Sequence, residues 1–352
     1  MSPQPVTHEW RVAVIGAGVA GATAAAELRS QGAEVVLLDK GRGPGGRCAT
    51  RRHDSLAFDH GAQYFTARDP GFKEQVHHWV QAGAADAWRP RGVHVRNGEV
   101  EAAERGDLYV GTPKMNTIVR HQLNGLDARF GVRVSSMVHR PDGWRLTAED
   151  GAEFSGFSQV AVTVPATQAV PLLTPHFPEA VRMAAGAHVS PCWSVMLAYA
   201  DPVQVPFDTA RFTDENPLAW AARNTSKPGR PADGPDCWVL HASHEWSRDH
   251  LESDVTEAGT ALTASFTAWC KLLGEEPRKP LHVAAHRWRY ALSAETDGPA
   301  CMAATHAGLA VGGDWMLGGR IESAWLSGCA VAKALVSARA SDAVQPERVC
   351  RD

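Results

Sequence analysis

Residues 12–28 read VAVIGAGVAGATAAAEL. The run Val12 to Ile15 has the length and β-branched content of a buried strand, and Gly21 to Arg29 reads as a helix. The glycine cluster between them, GAGVAG at 16–21, is a weak signal alone, because such turns also serve packing. Its neighbours strengthen it. VVLL at 35–38 reads as a second buried strand and completes a βαβ unit. In that setting Gly16 allows a tight turn and Gly18 lets backbone approach a pyrophosphate. Gly21 lets the helix pack on the strand, with the phosphates at the helix N-terminus. Asp39 follows near the spacing of about 20 residues expected of an acid that bonds an adenosine ribose 2′-hydroxyl. An acid there disfavours a 2′-phosphate.

The residues after Asp39 choose between nicotinamide and flavin. Residues 39–50, DKGRGPGGRCAT, carry GGRxxT, which resembles the second signature of the two-dinucleotide-binding flavoproteins, the amine oxidase superfamily among them. In those proteins the glycine loop and its arginine lie along the FAD pyrophosphate and the flavin edge. Near the other end, VGGDW at 311–315 resembles the strand–turn segment whose Asp binds the ribityl chain and pyrophosphate. The helix after it would aim its N-terminus at flavin N1 and O2, where a helix dipole stabilises the anionic reduced flavin. Three spaced signatures point to FAD.

Whole-chain properties narrow the class further. A length of 352 residues suggests about two domains, with roughly 75% of the unfolded surface buried on folding. A net charge of −4 without long charged runs leaves no electrostatic footprint for nucleic acid or an anionic membrane. Small molecules are the expected partners. Seven cysteines form no CxxC pair, so neither a disulfide framework nor a zinc site is indicated and a reducing compartment fits. MSPQPVTHEW lacks a basic segment followed by an apolar one, and no apolar run approaches the ~18 residues of a membrane span. The reading is a soluble cytoplasmic protein. Pattern also predicts strands over 132–138, 144–150, 160–165 and 309–314, and helices over 252–273 and 323–338.

Read together, GRGPGGRCATRR (41–52), FDHGAQYFTARDP (58–70), YVGTPKMN (109–116), HRWRYA (286–291) and GDWMLGGRIESAWLSGCAVAKAL (313–335) resemble the bacterial renalase-like flavoproteins. The likeness extends through WAARNTSKPGR (220–230) and WVLHASHEWS (238–247), nearly the whole chain. It implies an α/β fold with a two-dinucleotide-binding, Rossmann-type FAD domain and a p-hydroxybenzoate-hydroxylase-like substrate domain holding a mostly antiparallel sheet. The discontinuous FAD domain would take 8–68, 106–167 and 300–340, and the substrate domain 69–105 and 168–299. It implies non-covalent FAD held by Gly16, Gly18, Ala20, Gly21, Asp39, Lys40, Gly46, Arg47, Gln63, Val134, Gly313, Asp314, Arg320, Ile321 and Glu322. It further implies an oxidase that converts 2- or 6-dihydro isomers of NAD(P) to NAD(P)+ and passes the electrons to O2 as H2O2.

Such a reaction needs little from the protein. The ring nitrogen lone pair drives hydride loss from a dihydropyridine, so no strong base is required, and the cofactor carries the hard step. The protein presents a flat cavity, for which Trp288, Tyr290, Tyr64 and Trp220 are the candidate aromatics, each equally explained by core packing. The HRWRYA segment adds Arg289. Cys329 resembles the flavin-linking cysteine of monoamine oxidases but lacks the aromatic residue that follows it there. His241 with His244, and His282 with His286, have metal-compatible spacing without a third ligand. Lys227 and Arg230 read as a solvated loop or as contacts to substrate phosphates. A flavin amine oxidase, a flavin monooxygenase and a non-catalytic FAD-binding redox sensor remain alternatives. The absence of a second GxGxxG argues against a disulfide-reductase architecture.

Overall fold

The computed structural model describes residues 10–344 apart from 97, 104, 105, 214, 215 and 232, and the side chains of 10–340. Residues 8 and 9 of the expected FAD domain, the N-terminal segment and Cys350 therefore lie outside the described residues. The described residues divide into two compact units: 10–46, 122–188 and 294–344 form one, and those within 47–121 and 189–293 the other.

The first unit is built on a six-stranded sheet in the order Cys301–Ala304, Leu309–Gly312, Gln159–Val162, Arg11–Ile15, Glu34–Asp39, Asp127–Phe130. It is parallel except at Cys301–Ala304. These strands are apolar on both faces because both faces are covered. Ala13, Ile15, Val36, Leu38, Val160 and Val162 face Trp144, Leu146 and Phe157 of the antiparallel sheet Val134–Arg140, Gly143–Ala148, Glu153–Phe157. The helix Val19–Ser30 packs on the helix Ile321–Val344. A Cβ on Gly328 would run into the carbonyl oxygen of Ala20 and lie 2.8 Å from Thr23 Cβ, so only glycine permits this approach.

In the second unit a seven-stranded sheet runs His282–Ser293, Val189–Tyr199, Asp236–Ala242, Leu218–Arg223, Thr209–Phe212, Gly92–Arg96, Glu99–Ala102. All its pairings are antiparallel except Thr209–Phe212 with Gly92–Arg96. On one face Trp193, Val195, Leu197, Leu240 and Phe212 pack with Leu262, Phe266 and Trp269 of the helix Val255–Leu272. On the other, Phe58 of the hairpin Thr50–His53/Leu56–Asp59 packs on Met196, Ala198 and Val239.

All four unit boundaries differ from the sequence expectation. Residues 47–68 and 106–121 lie with the second unit, because Phe58 joins the large sheet's core and Leu108–Gly111 pairs with Ala85–Trp88. Residues 168–188 and 294–299 lie with the first, where Leu172, Leu173, Ala180 and Ala184 enter the parallel-sheet core. The helix predicted over 252–273 begins at Val255, since the Asp254 carboxylate accepts the Thr256 N–H at 2.7 Å and caps it. The terminal helix predicted over 323–338 spans Ile321–Val344.

Candidate functional site

In the first unit the strand Arg11–Ile15 ends at Gly16, whose φ of +113° favours glycine. A Cβ on Gly21 would run into the Gly16 carbonyl oxygen, and one on Gly18 would meet nothing within 4 Å. The helix that follows has no side-chain cap and no acidic residue in its first turn. Its first N–H groups, Ala20 included, and the positive end of its dipole thus suit an anion that approaches past Gly18.

Asp39 fastens this turn to the second glycine loop. Its Oδ2 accepts the Ala17 N–H at 2.7 Å and its Oδ1 accepts the Gly41 N–H at 2.6 Å. Each oxygen keeps a further lone pair for a hydroxyl donor. Gly45 N–H donates to the Ala17 carbonyl at 3.0 Å, and a Cβ on Gly46 would lie 3.3 Å from Gly18 Cα, so the two loops touch. Lys40 is exposed beside them. Val132 N–H bonds the Asp39 carbonyl at 2.9 Å, which draws the start of the strand holding buried Val134 to the same end of the sheet. At the C-terminal end, Leu309–Gly312 turns at Gly313, whose N–H is held by Ser327 Oγ at 2.7 Å. Asp314 and Glu322 are buried, Glu322 pairs with Arg320 at 3.0 Å, and the helix starts at Ile321. An uncapped helix end, an open glycine and an acid between two glycine loops fit a dinucleotide.

Arg47 and Gln63 belong to the second unit. Arg47 is half-buried and bonds the Ala291 carbonyl at 3.3 Å. Gln63 is buried, and its amide group donates to the Asp59 and Gly61 carbonyls and accepts from Lys227 Nζ at 3.2 Å. Its amide therefore serves this cluster rather than standing open to a ligand.

Lys227 and Arg230 are neither solvated nor presented to a substrate. With side chains 0% and 4% exposed, both contact Oδ2 of Asp59, Lys227 at 3.3 Å. Asp59 Oδ1 also accepts the Met115 N–H at 3.0 Å and the Thr50 hydroxyl at 2.7 Å. Burial alone would raise the Asp59 carboxyl, but Lys227 and Arg230 override it and hold it well below the usual carboxylate range. One carboxylate facing two cations leaves a surplus positive charge. Lys227 carries it: burial, against the partial support of Asp59, lowers its amine to about 8. Its Nζ lies 5.5 Å from the Trp88 ring centroid.

The large sheet brings together residues distant in sequence. Register aligns His286 with Ser194, Ser194 with His241, and His241 with Trp220. Their neighbours Ala285, Trp193, Val195, Leu240 and Ala221 enter the helix-covered core, so this row points from the opposite face. There the His60 carbonyl accepts from Trp288 Nε1 at 3.0 Å and lies 3.3 Å from His241 Nε2. The His60 ring lies 4.9 Å from both His286 and Trp288. A Cβ on Gly61 would run into the Arg47 carbonyl and lie 3.3 Å from Trp288 Cζ2, so glycine is required for this packing. Burial, with neighbouring His286 and Arg51, lowers His60 to about 3, and burial lowers His241 to about 4. These imidazoles are neutral near pH 7.

Of the candidate aromatics, Trp288 joins this cluster, Tyr64 lies 5.6 Å from Trp220, and Tyr290 is half-buried two residues beyond Trp288. Arg289 lies on the opposite face, where it forms a two-bond ion pair with Glu252 at 2.7 and 2.8 Å and is apart from Trp288. His282 stacks on His53 at 3.9 Å, and His244 is exposed. Among the described residues no group of three or more His, Cys, Asp or Glu is placed to hold a metal ion, and no helix is long and apolar enough to cross a membrane. Sequence reasoning missed His60 and Asp59, both inside FDHGAQYF, and Ser194, which has no local signal.

Residues 14–81 match the NAD(P)-binding Rossmann-like domain, and 100–336, more than half the chain, match the flavin containing amine oxidoreductases. A zeta-carotene-forming phytoene desaturase of Myxococcus xanthus is 47% identical over 55 residues, 16% of this chain and 11% of that protein. A 4,4'-diapophytoene desaturase (4,4'-diaponeurosporene-forming) of Staphylococcus aureus (strain Newman) is 47% identical over 51 residues, 14% and 10%. The chain thus spans about a tenth of the length of the curated relatives it matches. A crystal structure from Exiguobacterium sp. 255-15, provisionally assigned as a protoporphyrinogen oxidase, superposes with a TM-score of 0.72 at 13% identity, over 95% of this chain and 99% of that one. Wild-type putrescine oxidase bound to putrescine gives 0.68 at 13% identity, over 94% and 99%. These two likenesses establish the fold. The chain belongs to the flavin-containing amine oxidoreductases, a family of flavin-dependent enzymes, and FAD is its cofactor.

Proposed function

We propose that the protein is an oxidase with non-covalently held FAD that converts 2- or 6-dihydro isomers of NAD(P) to NAD(P)+. The balance is one dihydropyridine, one O2 and one proton to one pyridinium and one H2O2. The observation that carries this reading is the neutral character of the site face: His60, His241 and Trp288 present imidazoles and indole, while Asp59 is held by two cations. An amine donor needs a carboxylate to pair its ammonium or a base to take its proton. A dihydropyridine needs neither, because its own lone pair expels the hydride.

Bound FAD supplies the hydride-accepting and oxygen-reducing chemistry. In the first unit, the Gly16–Gly21 turn and the first turn of its helix receive the pyrophosphate, and Asp39 accepts from a ribose hydroxyl. Asp314, Arg320 and Glu322 line the C-terminal part of the same nucleotide site. In the second unit, Trp288 and His60 form the flat wall that orients the donor ring, with Tyr64 and Trp220 beyond it. Discrimination against ordinary 4-dihydro NADH is geometric, since a misplacement of about 1 Å costs on the order of 100-fold in rate. Cys329 lies inside the terminal helix.

A flavin amine oxidase is the second reading, favoured by the match of residues 100–336 to the flavin containing amine oxidoreductases. Anaerobic stopped-flow absorbance with a panel of donors separates the two. Rapid bleaching by the 2- or 6-dihydro isomers and slow bleaching by NADH supports the oxidase. Bleaching by primary amines alone overturns it.

A further inference from the structure

The helix Val255–Leu272 packs one side, with Leu262, Phe266 and Trp269, on the large sheet and leaves the other side in an apolar groove. The groove holds about 620 Å³ and lies wholly in the second unit, between Thr260, Thr263, Ala264 and Thr267 of the helix and Val283 and Ala284 of the strand His282–Ser293. That strand is the edge of its sheet. Of the eight large apolar side chains exposed among the described residues, Val255 and Val283 line the groove, and Leu272 and Leu281 each stand within two residues of a lining residue. Such a concentration marks a contact surface. A small molecule suits it poorly: Lys271 is the only charged lining residue, and every polar lining residue is at least partly exposed, so no buried polar groups converge to fix an orientation.

We propose that the groove seats the same helix of a second copy of this chain, the two laid antiparallel about a two-fold axis at Ala264. The outward stripe of the helix is self-complementary in that arrangement. With Ala264 opposite Ala264, Glu257 of each copy stands opposite Lys271 of the other, Thr260 opposite Ala268, and Ala261 opposite Thr267. Glu257, Ala264 and Lys271 are all exposed and recur at intervals of about two turns, so they share one stripe. Small residues at the centre let the helix axes approach to about 8 Å, and opposite charges close both ends. A parallel pair would set like charges together instead. Lys271 already touches Glu276 of its own chain at 2.6 Å, but an ammonium has three donors and keeps that contact while adding the partner's Glu257. The 18-residue helix is about 27 Å long. A band of that length over the helix and the edge strand, about 20 Å wide, projects to about 540 Å². The accessible area of a textured surface is larger, close to the roughly 800 Å² per partner of a stable interface.

Sedimentation velocity of the FAD-loaded full chain should show a species of twice the chain mass that dissociates on dilution. Ala264→Arg puts two guanidinium groups on the axis and should weaken association by about 100-fold or more, with FAD content and melting temperature unchanged because Ala264 is exposed. Glu257→Lys and Lys271→Glu should each weaken it by about 10-fold, since two attractive contacts become repulsive, and the double reversal should restore it. A wild-type chain that stays monomeric up to high micromolar concentration overturns the proposal. So does a monomer that binds a fatty acid or anilinonaphthalene sulfonate in a manner lost with Ala264→Arg, which assigns the groove to a small apolar ligand. A dimer untouched by Ala264→Arg uses another face and also overturns it, and single reversals that the double reversal fails to repair overturn the antiparallel register.

Discussion

Replacing Asp59 with Asn removes the single negative charge that faces two buried cations. Asn has nearly the same volume and retains an oxygen for the Met115 N–H, so the change is chiefly electrostatic. Arg230 never releases its proton. It keeps the Gly111 and Pro228 carbonyls at 2.7 Å but loses its counter-charge, and breaking a buried pair from one side costs about 3–5 kcal/mol. Lys227 limits its own contribution by deprotonating. With its amine at about 8, shedding the proton at pH 7 costs no more than about 1.4 kcal/mol. The expected loss is therefore about 3–5 kcal/mol at pH 7, of which up to about 1.4 disappears by pH 8.

The direction of that pH dependence follows from the lowered amine. Between about 8 and the unfolded value near 10.4 the unfolded chain binds more protons, so wild-type stability rises with pH across that window. In Asp59→Asn the rise begins lower, and above pH 8 the two proteins run in parallel. Urea unfolding followed by tryptophan fluorescence at pH 7, 8 and 9, with excess FAD, measures both quantities. A loss under about 1 kcal/mol at pH 7, or a penalty that grows with pH, refutes the reasoning. Lys227→Met leaves one cation per carboxylate and should cost less than Asp59→Asn.

Asp39→Ala should weaken FAD binding by about 1.5–3 kcal/mol, because a charged acceptor and the tie between Ala17 and Gly41 are lost together; fluorescence titration of FAD reads this, and an unchanged affinity removes Asp39 from the site. Trp288→Ala should slow flavin reduction by the dihydro isomers while FAD stays bound, and stopped-flow rates equal to wild type would remove it from the donor wall. His60 and His241 sit below the unfolded value near 6.5, so their share of stability is complete above that pH and falls as pH drops toward 4 and 3. Unfolding measured at pH 7.5 and 5 should show this loss, and His60→Gln should reduce it.

The first unit was legible in sequence because its chemistry is local. Gly16, Gly18 and Gly21 act through backbone shape within one strand–turn–helix, and Asp39 ends the next strand, so motif and geometry coincide. The second unit assembles its face from Ser194, Trp220, His241 and His286, which only strand register brings together, with His60 laid against them from outside the sheet. Lys227 and Arg230 illustrate the limit. Their sequence reads as a Gly/Pro loop, and nothing within it announces that Asp59, far back in the chain, draws both side chains inside. Arg289 had a usable signal: in HRWRY the period of two separates His286, Trp288 and Tyr290 from Arg287 and Arg289. The structure follows that alternation, with both arginines turned to Glu252.

This contrast has a consequence for how the two units tolerate change. Backbone amides bind phosphate without regard to the side chains around them, so the first unit's turn rests on Gly16 and Gly21, where a Cβ would meet neighbouring backbone, and substitution there should weaken FAD binding. The second unit carries polar side chains on one face of a sheet whose opposite face, with Trp193, Leu240, Phe266 and Trp269, supplies the packing. Buried Lys227 and Asp59 change folding first, and ligand preference only through the charge they leave behind.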